Sequence, residues 1–304
     1  MAGRLILVQL IVVLLLFSCR GGAKKQGEFV FPDADSIPVS EAEKLSDEFL
    51  DDISRNISSP VEIADILHRM SVPFSTSYLA SSIDASRLST SFDKALKLGI
   101  LGADLGYLNM YEKTGTSIDV LSSIKKLADG LNVGQFFDFE TIKRLSLNRS
   151  NIDSLFLLSN NSYNQIGKFL RDKGRGQLSA LMLTGVWIEG QYLATQVVKQ
   201  FPDTLLRNRV GEQKVILNDL LMLLAPYCNS SEEFKSLCQD MQEMKEKYRE
   251  VRITYSIGEP VMKEKDGALV VVQTDQSKVD ITDDQMKTII AASEKIRNKL
   301  IISN

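Results

Sequence analysis

Residues 177–200 read QLSALMLTGVWIEGQYLATQVVKQ, and this stretch decides the fold. Glu189 is the only formal charge between Arg175 and Lys199. Leu178, Leu181, Met182, Leu183, Val186, Ile188, Leu193, Val197 and Val198 fall on more than one helical face. A helix that is apolar nearly all round is buried by its neighbours. Thr184, Gly185, Gly190, Gln191 and Thr195, with no flanking basic cluster, argue against a membrane span. The stretch is expected to be the central helix of a mainly α-helical bundle.

The neighbouring segments carry helix signals on both sides. Ser40-Glu41-Ala42-Glu43 and Ser59-Pro60-Val61-Glu62 are capping boxes. They open helices through Ile53 and to Met70. A long helix is expected from Ser82 or Ser89 to about Lys113. Gly99, Gly102, Ala103 and Gly106 form a small-residue track along it. Each interior glycine costs up to about 1 kcal/mol against alanine. Close helix approach explains such a track, and so does a ligand lying on bare backbone. After a turn at Gly115-Thr116, helices are expected over 118–131, 141–147 and 151–171.

On the C-terminal side a helix over 205–224 is followed by Phe234, Leu237, Met241, Met244, Tyr248 and Val251, which step 3-4-3-4-3. That seam is coiled-coil-like. It closes either a hairpin with the preceding helix or a dimer. Arg252 to Ser256 and residues 268–274 are β-rich, with turn residues at 258–260 and 265–267, so a small β-hairpin is expected there. Thr282 caps a final helix whose stripe is Met286, Ile289, Ile290, Ile296, Leu300 and Ile301.

Residues 1–18 read as a signal peptide. Arg4 is the basic start and Leu5 to Phe17 is the apolar core, shorter than the roughly 20 residues of a stable span. Leu16-Phe17-Ser18-Cys19 resembles a bacterial lipobox, although Phe17 stands where a small residue is usual. The resemblance implies cleavage before Cys19 and lipidation there, which anchors the chain to a membrane. Arg20 in the next position implies the outer membrane, its periplasmic or surface face left open. Residues 19–39 form a flexible tether. Within it, Asp35-Ser36-Ile37 resembles an O-glycosylation acceptor, with Ser36 the candidate. Residues 40–304 are expected to be one helical domain, ample for a single core.

A net charge of −3 gives nucleic acid no purchase. One histidine, His68, leaves imidazole triads and His-rich metal sites almost without material, and no phosphate-cradling loop or nucleophile elbow occurs. No cofactor is implied. Apart from Cys19, the cysteines are Cys228 and Cys238. Cys238 lies about two turns into its helix, about 10 Å along the axis at 1.5 Å per residue. A disulfide needs its Cα atoms within about 7 Å, so two buried thiols are expected.

Chemistry, if present, belongs to two acids. Asp104 is the only charge between Lys97 and Glu112, in a helix that otherwise reads as core, and Glu189 stands alike in the central helix. An unpaired buried carboxylate is costly and its pKa rises. Tyr107 and Tyr192 follow these acids by three residues, on the same helix faces. The pattern echoes: Asp104-Leu105-Gly106-Tyr107-Leu108 against Glu189-Gly190-Gln191-Tyr192-Leu193. One expectation is a polar ligand pocket of Asp104, Tyr107, Glu189 and Tyr192. The other is that each acid pairs with a basic residue from a neighbouring helix, or lies on a solvated strip with Lys97.

LGILGADLGYLNMYEK, the Lys126-Leu127-Ala128 helix and ALMLTGVWIEGQYLATQ together resemble an uncharacterised family of helical bacterial lipoproteins of the outer-membrane type. The resemblance implies a helical fold and a lipid anchor and brings no catalytic residues. The function expected is a non-catalytic binding or scaffold protein, its partner an envelope protein or a small ligand. A carrier with an interhelical pocket and a carboxylate-based hydrolase are the alternatives.

Overall fold

The computed structural model describes residues 71–146, 152–256, 258, 260–265, 268–272 and 276–302. The signal peptide, Cys19, the tether with Ser36, the two capping-box helices and His68 lie outside the described residues. Eight α-helices occur among the described residues: α1 Ser91–Met110, α2 Thr114–Gly130, α3 Phe139–Ser146, α4 Ile152–Asp172, α5 Gly176–Gln200, α6 Thr204–Leu224, α7 Glu232–Tyr248 and α8 Asp283–Ile302. Four short strands follow α7: β1 Arg252–Ser256, β2 Val261–Lys265, β3 Ala268–Val272 and β4 Gln276–Asp280. The protein is mainly helical with a small antiparallel ribbon near its C-terminus.

Every residue of α5 from Leu178 to Val198 is buried. Helices α1, α4, α6 and α8 all pack against it. Its closest neighbour is α1, and the two backbones meet at a pair of glycines. A Cβ on Gly99 would overlap the Met182 carbonyl and reach within 2.8 Å of Val186 N, while one on Gly185 would overlap the Leu96 carbonyl. The contact is reciprocal, each glycine seated on the other helix's backbone. Glycine permits such approach because it has no side chain to exclude it. The track on α1 is therefore an approach surface. Gly102 serves a second helix in the same way, receiving the Tyr163 hydroxyl of α4.

Local signals set most ends. Helix α1 begins later than either predicted serine, at Ser91, with Thr90 as its cap. Thr90 Oγ1 accepts from Asp93 N–H at 3.0 Å, which caps the helix, and donates to Asp93 Oδ2 at 2.7 Å, which fixes the hydroxyl in place. Asp203 caps α6 by accepting from Leu205 N–H and Leu206 N–H. Thr282 and Gln285 form a reciprocal capping box on α8. The predicted turn at Gly115-Thr116 lies earlier, at Glu112, whose φ is 56°, and α2 runs through both residues.

The heptad-like seam on α7 is intramolecular. Phe234, Leu237, Met241, Met244 and Tyr248 are buried, and α7 packs against α6 and α8. In the strand region the predicted pairing is corrected. β1 pairs with β4, while β3 pairs antiparallel with β2, Val261 opposite Val272 and Lys265 opposite Ala268. Val-Met-Lys-Glu-Lys and Gln-Ser-Lys-Val-Asp are too polar to signal strands by composition. Strand preference depends on cross-strand context, and their partners supply it. The described residues fall into two units, the helical body and the strand-rich segment 254–277.

The cysteine expectation is also corrected. Cys228 and Cys238 form a disulfide, their Cα atoms 5.7 Å apart. The axial estimate assumed that the chain leaves the start of α7 pointing away. Instead the 3-10 turn Ala225–Tyr227 ends α6 and lays Cys228 back beside the second turn of α7.

Candidate functional site

The two acids meet. On α1 and α5 each acid follows its crossing glycine by about one turn: Asp104 after Gly99, Glu189 after Gly185. Because the helices run in the same direction past that crossing, both acids arrive at the same level. Glu189 is 0 % exposed and Asp104 1 %.

Arg297 of α8 reaches in to Glu189. Its Nε and one terminal nitrogen donate to Glu189 Oε2 and Oε1 at 3.0 and 2.9 Å, a bidentate pair. The same terminal nitrogen donates to the Tyr78 carbonyl at 3.0 Å. The guanidinium carbon lies 4.3 Å from the centre of the Tyr192 ring, a cation–π contact. Arg297 is 3 % exposed, so the whole cluster is closed to water.

Asp104 is held differently. Its Oδ2 accepts from Ala80 N–H at 2.8 Å. Its Oδ1 is buried and meets no donor. The Asp104 and Glu189 carboxyls lie within hydrogen-bonding reach of each other. Two acceptors face to face need one proton between them. Burial pushes Asp104 well above the usual carboxylate range, and the neighbouring Glu189 charge pushes it further. Burial also raises Glu189, but there the Arg297 hydrogen bonds and charge pull the other way. Of the two, Asp104 is the carboxyl held further toward its protonated form, and Glu189 is the one that faces the Arg297 charge.

Tyr107 lines the same region, its hydroxyl accepting from Ser75 N–H at 2.9 Å and its ring stacked on Phe74 at 5.4 Å. Of the four predicted residues, Asp104, Glu189 and Tyr192 thus gather around Arg297, while Tyr107 sits among Phe74, Tyr78 and Tyr111. Glu189 is paired with a basic residue from a neighbouring helix, as the second expectation had it. The solvated strip is excluded: Lys97 is as buried as Asp104, and it pairs with Asp93 at 3.6 Å.

Sequence reasoning did not identify Arg297, although a signal existed. Met286, Ile290, Ser293, Arg297 and Leu300 step 4-3-4-3 along α8, so the arginine occupies a core position of the apolar stripe. A cation at such a position requires a buried anion. Asp219, on α6, was also missed. Burial alone pushes its carboxyl up to about 6.

A second polar chain ties α5 to α6 and α7. Gln191 Nε2 donates to the Tyr248 hydroxyl at 2.5 Å, and that hydroxyl donates to the Val210 carbonyl at 2.9 Å. Nearby, Trp187 Nε1 donates to Gln213 at 3.0 Å. These bonds satisfy Trp187 Nε1, Gln191 Nε2 and the Tyr248 hydroxyl, while Gln191 Oε1 is buried and meets no donor.

The shared proton makes a pH prediction. The folded pKa of Asp104 is raised, so the folded chain keeps a proton that the unfolded chain releases above about pH 4. Stability linked to this group is full below that pH and falls as pH rises toward the folded pKa. Asp104→Asn can accept from Ala80 and donate to Glu189 without titrating. It is expected to melt higher than wild type from neutral pH upward, with a flatter profile. Melting curves across the mildly acidic to alkaline range check this, and parallel curves would refute the shared proton.

Apart from the acid cluster, an open cleft of about 390 Å³ lies between α6 and α7, lined by Leu221, Ala225, Lys235, Gln239 and both disulfide cysteines. Among the described residues no group of three or more His, Cys, Asp or Glu could hold a metal ion. No described helix is long and apolar enough to cross a membrane. Comparisons with protein-family models, curated proteins and solved structures each return no match.

Proposed function

We propose that the chain is an exported lipoprotein, held at the outer membrane through Cys19, whose helical body binds or scaffolds an envelope partner without catalysis. The observation that carries the export reading is the Cys228–Cys238 disulfide. Disulfides persist in oxidising compartments and are rare in the cytosol. This agrees with the signal peptide and lipobox read from residues 1–19.

The preference for binding over hydrolysis rests on the acid cluster. A pair of carboxylates that cleaves a glycosidic bond stands about 5–10 Å apart in an open cleft. Asp104 and Glu189 are in hydrogen-bonding contact, closed to solvent, and one of them is committed to Arg297. A substrate cannot reach them without opening the α1–α5–α8 junction. Their role is structural: they fix the angle and register at which three helices meet.

The test is fractionation of cells expressing the full chain, with labelled palmitate in the medium. Wild type is expected in the outer-membrane fraction, carrying label. Cys19→Ser is expected without label, and lost from that fraction. Equal membrane association of the two, without label in either, would sink the anchor. Native mass spectrometry of the purified protein then separates scaffold from carrier, since a retained small mass identifies a carrier.

A further inference from the structure

The Cys228–Cys238 disulfide differs from a buried staple in three ways. Both cysteines are half-buried and line the open cleft between α6 and α7, where a thiolate can approach. The helix that carries Cys238 is held without the bridge, because Phe234, Leu237, Met241, Met244 and Tyr248 are all in the core. Lys235 lines the same cleft, one turn before Cys238 on the same face of α7. Its ion pair with Glu232 is 3.7 Å long and between exposed side chains, so the ammonium keeps its charge available to the cleft. A nearby ammonium stabilises a thiolate.

We infer that Cys228–Cys238 is a thiol–disulfide exchange site, open in the folded protein to a thiolate reductant. The attacking thiolate forms a bond to Cys228 Sγ. The bond between Cys228 Sγ and Cys238 Sγ breaks, and its electron pair leaves on Cys238 Sγ beside Lys235. A second thiolate, from the same dithiol or another thiol molecule, attacks the reductant sulfur of this mixed disulfide and releases Cys228 as a thiolate. The reductant ends as a disulfide, oxidised by two electrons, and the two cysteines end reduced. The better leaving sulfur departs faster, which is why the lysine selects Cys238.

Exchange frees Cys228 from the side of α7 and leaves the packed helices in place. The segment it releases is the link between α6 and α7, Cys228 to Ser231. The switch therefore acts on one rim of the cleft and leaves the fold intact.

The full mature chain, kept in detergent at neutral pH without denaturant, is treated in separate arms with reduced glutathione, dithiothreitol and reduced thioredoxin. Samples are quenched with iodoacetamide, and alkylation at Cys228 and Cys238 is mapped by peptide mass. At least one reductant is expected to expose both thiols while the far-UV circular dichroism stays unchanged. A thioredoxin rate above that of dithiothreitol at equal thiol assigns the site to a protein dithiol; the reverse order assigns it to small thiols. Lys235→Glu, an exposed change, is expected to slow reduction roughly twofold to fivefold by weakening the leaving group. Resistance to all three reductants until urea is added would overturn the proposal, as would an unaltered rate in the lysine variant.

Discussion

Glu189→Gln is expected to destabilise the protein by about 3–5 kcal/mol, because it leaves a buried guanidinium without its anion. For a body of this size that corresponds to a fall in melting temperature of roughly 10 °C. The substitution barely changes shape, so lost packing contributes little. What it removes is the charge that holds Arg297 at 2.9 and 3.0 Å. Asp104 replaces it only in part, since burial makes its ionisation costly and Arg297 makes its hydrogen bonds to Glu189 and the Tyr78 carbonyl. Arg297→Met should cost a similar amount by stranding Glu189. The double variant should recover part of the loss, because with both charges gone neither leaves the other buried without a counter-ion. Urea titrations of the three variants decide the matter. A Glu189→Gln loss below about 1 kcal/mol would mean that water reaches the cluster.

This cluster also shows what the sequence reveals and what it withholds. That α5 is buried was legible from its composition, since one charge in more than twenty residues leaves no polar face. That Asp104 and Glu189 need partners was legible from the cost of burying a carboxylate. That they share one interhelical site was one of two expectations; that their carboxyls touch directly was in neither. The contact depends on α1 and α5 running in the same direction past Gly99 and Gly185, a relation between residues almost ninety positions apart. The echo of acid and Tyr-Leu in the two helices was the trace of that relation. Each helix presents glycine, acid and tyrosine to the same junction in the same order.

The disulfide and the strands were misread for another reason. A rise per residue measures distance along one helix. It carries no information about where the preceding chain goes. The turn at Ala225–Tyr227 brings Cys228 back against α7, and that turn contains Pro226, which reads only as a helix stop. In the ribbon, β2 is a strand because β3 lies beside it, and its own residues give no such signal.

The helix crossing itself yields the remaining prediction. Gly99→Ala places a methyl group where the Met182 carbonyl stands, and Gly185→Ala places one against the Leu96 carbonyl. Neither neighbour is the mobile end of a side chain. Both are carbonyls inside continuous helices, so relief requires α1 and α5 to separate along their shared length. Separation opens gaps around buried Leu98, Ile100, Leu183 and Trp187 and lengthens the contact between Asp104 and Glu189. Overpacking typically costs about 1–3 kcal/mol, and the upper end or beyond is expected here. Alanine's better helix propensity returns at most about 1 kcal/mol. Because a shifted crossing relieves both contacts at once, the double variant should cost clearly less than the two single losses added together. Gly115→Ala is the control, as its Cβ meets nothing within 4 Å; it should be neutral or slightly stabilising. Thermal and urea unfolding of the four variants tests the set. A Gly99→Ala protein as stable as wild type would show that the two backbones do not touch, and with that contact would go the geometry that brings the two acids together.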